Sequence, residues 1–108
     1  MTVKELADAM NFSVVALPDR DREVSGAYVG DLLSWVMGRA TADNAWITIM
    51  SNVNVLAVAT LTDVSCVIFA EGVIPEREII DTANEKGVNL LTSPFPSYET
   101  AVMVSRWV

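Results

Sequence analysis

The sequence predicts an α/β domain: a mainly parallel sheet of about five strands with helices packed on it. Three observations lead there. Short, mostly apolar runs such as Trp46–Met50 and Ser65–Ala70 suit strands buried on both faces. Segments with helical spacing, roughly ten residues each, alternate with them. A length of 108 residues holds one such unit, so 1–108 is read as a single domain.

Thr2 to Met10 reads as a helix, because Thr2 and Glu5 have capping-box spacing and Val3, Leu6, Ala7 and Met10 share one face. Phe12 to Leu17 reads as a strand, and Pro18-Asp19-Arg20-Asp21 supplies turn chemistry. Glu23 to Val29 is a second extended segment. Asp31 is placed to cap a strongly apolar helix ending near Arg39. After the strand Trp46–Met50, Ser51 or Asn52 is placed to cap a helix ending near Leu61. Ser65–Ala70 is a strand. Pro75 suits a first helical turn, where its missing amide costs nothing. That helix, with Ile79, Ile80 and Ala83 on its buried face, reaches Lys86 and stops at Gly87. Val88–Leu91 is the last strand. Ser97 is placed to cap the last helix, with Glu99 in its first turn.

Composition narrows the function. Apolar residues make up 52% of the chain and charged residues 19%, which excludes disorder. The apolar surplus points either to self-association, with a homodimer expected, or to a sheet covered on both faces. The net charge is −7 and the seven basic residues are scattered. No stripe exists to neutralise phosphates, so nucleic acid is not an expected partner. Anionic membrane surfaces are disfavoured, and no apolar run reaches the ~18 residues of a membrane span. The charged opening Met1-Thr2-Val3-Lys4-Glu5 does not read as a signal peptide, so a cytoplasmic protein is expected. Cys66, the single cysteine, lies in an apolar run and reads as buried and structural. Histidine is absent, which removes the commonest general base and zinc ligand; no metal and no cofactor are expected. Neither a phosphate-binding loop ending in Gly-Lys-Ser/Thr nor a Gly-x-Ser-x-Gly elbow occurs.

Ligands of such sheets bind beyond the carboxyl ends of the strands. That rule selects the loops at 29–31, 50–54, 71–75 and 92–97. Several lead into helix N-termini, which favour anions, although capping alone explains Asp31, Asn52 and Ser97. The sharper feature is the run from Asp21 to Asp31. Two glycines there, Gly26 and Gly30, permit close backbone approach or a bulge. Asp21 and Arg22 offer a charge pair, and Tyr28 an aromatic face with a hydroxyl. This is either a binding loop or a bulged strand with a surface ion pair. The candidate ligand-binding residues are Asp21, Arg22, Ser25, Gly26, Tyr28, Gly30, Asp31, Ser51, Asn52 and Asn54. No catalytic residue is assigned. Trp35 and Trp46 look like core or interface aromatics.

At these positions the chain resembles the DRTGG domain family. The likeness rests on Asp21-Arg22, on Ser25-Gly26-Ala27-Tyr28-Val29-Gly30-Asp31-Leu32-Leu33-Ser34, on Trp46-Ile47-Thr48, and on Asn54-Val55-Leu56-Ala57-Val58-Ala59. The family's Thr-Gly-Gly stands here as Ser25-Gly26-Ala27, which keeps a hydroxyl and loses the second glycine. Members often carry a histidine just before the asparagine helix, where Ser51 and Asn52 stand here. The C-terminal half, from Glu71-Gly72-Val73-Ile74-Pro75 through Ser97-Tyr98-Glu99-Thr100, is similar to the N-terminal domain of HPr kinase/phosphorylase. That relative keeps its phosphate loop in a separate domain, so kinase activity is not implied here. The broader fold resembles the nucleotide-binding N-terminal domains of some peptide ligases of cell-wall synthesis. These resemblances imply a bacterial regulatory domain of the kind that accompanies nucleotide-sensing CBS domains and contributes to oligomer contacts. The function expected is therefore a non-catalytic module that self-associates and binds a small anionic ligand, such as a nucleotide, or a partner protein. The alternatives are a purely structural interaction subunit and an enzyme using carboxylates with Arg22.

Overall fold

The computed structural model describes residues 1–108. Its elements are α1 (Val3–Met10), β1 (Ser13–Ala16), β2 (Ala27–Val29), α2 (Leu33–Arg39), β3 (Ala45–Thr48), α3 (Asn54–Thr62), β4 (Cys66–Phe69), α4 (Arg77–Lys86), β5 (Leu90–Thr92) and α5 (Ser97–Ser105). The five strands form one sheet in the order β1-β5-β4-β3-β2, with only β1 antiparallel to its neighbour. The predicted fold class is the one observed.

The four parallel strands lie side by side in chain order. Their crossovers, α2, α3 and α4, cover one face, and the terminal helices α1 and α5 cover the other. Successive residues of the strands therefore feed two cores. Trp46, Val67, Phe69 and Leu90 pack with Val36, Val55, Leu56, Ile79 and Ala83. Ala45, Ile47, Cys66, Ile68 and Leu91 pack with Val3, Leu6, Met10 and Val104. β3 and β4 are buried along their whole length, which is why they read as unbroken apolar runs. The covered sheet thus accounts for much of the apolar surplus.

Local chemistry sets the helix ends. Thr2 and Glu5 form the reciprocal capping box of α1, and Thr2 holds the Glu5 carboxyl below its ordinary pKa by hydrogen bonding to the charged form. Gly87, at φ 77°, ends α4 as expected. Four other predicted starts differ. α2 begins at Leu33 with no side-chain cap, because the Asp31 carboxylate is held by β3 instead. α3 begins at Asn54, and Asn52 closes a tight turn on the Asn54 amide at 2.9 Å rather than capping a longer helix. Pro75 is buried just before Glu76, which precedes the first residue of α4. Ser97 is itself the first residue of α5, and its amide is taken by the Glu71 carboxylate at 2.6 Å.

Cys66 is fully buried, and burial alone pushes its thiol up to about 12. We expect no reaction of the native protein with a thiol reagent at pH 8 and stoichiometric reaction in denaturant. Rapid labelling of folded protein would contradict the two-layer packing at β4.

Candidate functional site

The ten candidate residues fall at opposite ends of the sheet. Asp21, Arg22, Ser25 and Gly26 precede β2 and sit at the amino ends of the parallel strands. Gly30, Asp31, Ser51, Asn52 and Asn54 follow β2 and β3 at the carboxyl ends. The three-residue strand β2 separates the groups, a span of about 13 Å from Gly26 to Gly30 at ~3.3 Å per residue. Tyr28 lies between them, packed against the α2–α4 core.

The amino-end group is a stitch over the strand starts. Arg22 donates through Nε and Nη2 to Asp43 Oδ1 at 3.1 and 2.8 Å. Its Nη2 also reaches the Asp63 carbonyl at 2.8 Å and the Asp63 carboxylate at 3.1 Å. Hydrogen bonding to Asp43, more than any other effect, raises the Arg22 pKa further. The expected pairing of Arg22 with Asp21 is not made: exposed Asp21 faces Arg20 at 3.7 Å. Ser65 Oγ bonds the Glu23 carbonyl and, at 2.8 Å, the Asp43 carbonyl. The Ser25 amide donates to the Asp43 carbonyl at 2.8 Å, and Asn44 Nδ2 donates to the Ser25 carbonyl at 2.9 Å. Gly26, at φ 73°, takes the left-handed turn beneath Asn44, whereas Ala27 is an ordinary strand residue. The exchange of a second glycine for Ala27 is thus without strain.

At the carboxyl end, Gly30 and Asp31 shape the rim. The buried Trp46 indole donates to the Gly30 carbonyl at 2.9 Å. The Tyr28 ring covers Gly30 so closely that a Cβ there would lie 2.8 Å from it. Asp31 Oδ1 accepts from Thr48 Oγ1 at 2.8 Å and from the Ile49 amide at 2.9 Å. These bonds fix the chain leaving β3 and so aim Ser51, Asn52 and Val53 toward α4. There, Ser51, Asn52, Val53, Glu76, Glu78 and Ile79 line an open cleft of about 380 Å³.

The more usual crevice of such sheets opens where neighbouring connections leave to opposite faces. Here that point lies between β4, which leads to α4, and β5, which leads to α5. The two loops are tied there, the Glu71 amide to the Phe95 carbonyl at 2.8 Å and the Gly72 amide to the Ser93 carbonyl at 3.0 Å, and beside the tie Gly72, Ile74, Thr92, Ser93 and Pro94 line, with Asn11 and Ser13, a cleft of about 230 Å³. The larger cleft is one connection over, where α3 and α4 both begin. The amides of Arg77 and Glu78, in the first turn of α4, have no backbone acceptor, while the carboxylates of Glu76 and Glu78 stand beside them. Of Arg77 and Glu78, Glu78 lines the cleft, so its amide and the two carboxylates give donors and acceptors together there. Glu76 and Glu78 were not among the sequence candidates. Pro75, just before the cap residue Glu76, marks the approach to α4, whose first-turn amides are free.

A model of the DRTGG domain matches residues 5–107. The chain belongs to the DRTGG domain family. No curated protein matches it. Among solved structures, this DRTGG domain is similar to the CBS and DRTGG domains of the regulatory region of Clostridium perfringens pyrophosphatase, crystallised with the activator diadenosine tetraphosphate. The TM-score is 0.78 at 16% identity, a likeness of fold. The match covers 95% of this chain and 45% of that one, so the DRTGG domain spans less than half of its structural neighbour. The likeness to the HPr kinase/phosphorylase N-terminal domain stays a resemblance of sequence. No helix is long and apolar enough to cross a membrane.

Proposed function

We propose that this DRTGG domain is a non-catalytic regulatory module that self-associates and takes a small anionic ligand of nucleotide class in the cleft between α3 and α4. The observation that carries the reading is the pairing of free α4 amides with the Glu76 and Glu78 carboxylates in one open cleft. The amides and the helix dipole suit a phosphate group. The carboxylates oppose bare phosphate but accept hydrogen bonds from ribose hydroxyls or a base amino group, as acidic residues do in dinucleotide sites. A nucleotide satisfies both; inorganic phosphate satisfies only one. The regulatory role is supported by the family and by the fold-level neighbour, a regulatory region crystallised with diadenosine tetraphosphate. The ten candidates divide accordingly: Ser51, Asn52 and Asn54 at or beside the cleft, Gly30 and Asp31 shaping it, and the amino-end group with Tyr28 outside it.

A thermal-shift screen with mono- and dinucleotides, diadenosine tetraphosphate included, tests the ligand, because a ligand at a hundred times its Kd stabilises by about 2.7 kcal/mol. We expect a shift with a nucleotide and none with phosphate. Glu78→Ala, which removes one of the two carboxylate acceptors, is expected to weaken nucleotide binding about threefold or more. Absence of any shift across the panel would leave the second reading, a protein-interaction subunit without a small ligand, which the exposed apolar face of α5 favours.

A further inference from the structure

The solvent side of α5 has the composition of an interface. Away from the sheet-facing residues Thr100 and Val104, Phe95, Tyr98, Glu99, Val102 and Arg106, with Met103 at the edge of the core, line a shallow groove of about 290 Å³. Tyr98 is 76% exposed and neighbouring Trp107 49%. α4 shows the contrast: it presents Arg77, Glu78, Asp81 and Glu85 to water. A helix in an outer layer ordinarily keeps its outward face polar, and one that is apolar all round is ordinarily buried.

The charges on this face identify the occupant. Glu99 and Arg106 are its only charged residues, and neither pairs with any group of its own chain, although six other ion pairs form in the molecule. They stand seven residues apart on one side of the helix, about 10 Å at ~1.5 Å per residue. The midpoint between them falls between Val102 and Met103. A two-fold axis through that point, perpendicular to the helix, brings a second α5 across antiparallel and sets Glu99 of each copy beside Arg106 of the other. Val102 and Met103 then meet around the axis, and Tyr98 approaches the Trp107 end of the partner copy. Such reciprocity is what an isologous contact requires.

We infer that α5 is the self-association surface of this protein, packing antiparallel against α5 of a second copy with Glu99 and Arg106 paired reciprocally. The inference rests on the self-association proposed above and names the surface that performs it. It is tested by sedimentation velocity on the full chain at one to one hundred micromolar, with circular dichroism to confirm the fold of each variant. The unmodified protein is expected to be a dimer. Tyr98→Glu, Glu99→Arg and Arg106→Glu should each weaken it by about tenfold or more. The double exchange Glu99→Arg with Arg106→Glu should restore it, and Trp35→Glu on α2 should leave it unchanged. A dimer indifferent to the α5 variants overturns the surface while self-association stands. Weakening by the single exchanges without rescue by the double one overturns the antiparallel pairing. A monomer throughout overturns both this inference and the self-association reading.

Discussion

Trp46→Ala is expected to remove about 4 kcal/mol of stability and lower Tm by about 20 °C. Trp46 is fully buried on β3, between β2 and β4, under the helices of the larger core. Its replacement opens a cavity that the flanking strands cannot fill, because both are held in register with β3. It also strips the Gly30 carbonyl of its donor, at 2.9 Å, in a part-buried position. Domains of this size have total stabilities of about 5–15 kcal/mol, so the variant stands near the limit of folding. Trp46→Phe keeps most of the volume and loses the N–H, and should lose about 1–2 kcal/mol. Urea unfolding of the three proteins checks both values. A loss under about 2 kcal/mol for Trp46→Ala would show that the β2–β3 junction does not depend on the indole.

Arg22→Ala is expected to lower stability by about 2 kcal/mol and Tm by about 10 °C, far more than a surface ion pair. The guanidinium is 26% exposed and is shared by Asp43, Asp63 and the Asp63 carbonyl. Both aspartates sit at positive φ, 70° and 59°, in the turns that enter β3 and β4. Without the cation, two carboxylates face each other across a turn already held in an uncommon conformation. The variant should recover part of the loss as salt rises from 0.05 to about 0.5 M, because screening relieves the repulsion. Arg22→Lys should not rescue it, since an ammonium lacks the fork that serves Asp43 through two nitrogens. A Tm change below about 3 °C would reduce the stitch to an ordinary surface contact. Nucleotide binding at the opposite rim should survive in Arg22→Ala whenever the protein is folded.

The fold was legible because its signals are local. The apolar runs of β3 and β4, the capping box at Thr2 and Glu5 and the stop at Gly87 each act within a few residues, and the structure repeats them. The helix starts at Asp31 and Ser97 differ from expectation for separate reasons. Asp31 has the chemistry of a cap, but the tertiary fold brings it a stronger claim from Thr48 and Ile49; Ser97 stands one residue inside the helix it was placed to cap, with its amide held by Glu71. The candidate site was harder to read because a strand carries residues from one rim to the other. The run from Asp21 to Asp31 reads in sequence as one candidate feature, a binding loop or a bulged strand, and β2 divides it, leaving Arg22 at one end and Asp31 at the other. Glu76 and Glu78 reach the cleft only once α3 and α4 lie side by side, and their sequence pattern is that of an ordinary solvated helix face.

The ligand site at the carboxyl rim is tested most directly by titrating the 15N-labelled protein with the nucleotide that gives the largest thermal shift. The expected result is a set of amide perturbations concentrated at 51–54 and 76–79, with the amides of Arg77 and Glu78 moving most. Perturbations centred instead on Arg22, Asp43 and Asp63, at the amino ends of the strands, would contradict it.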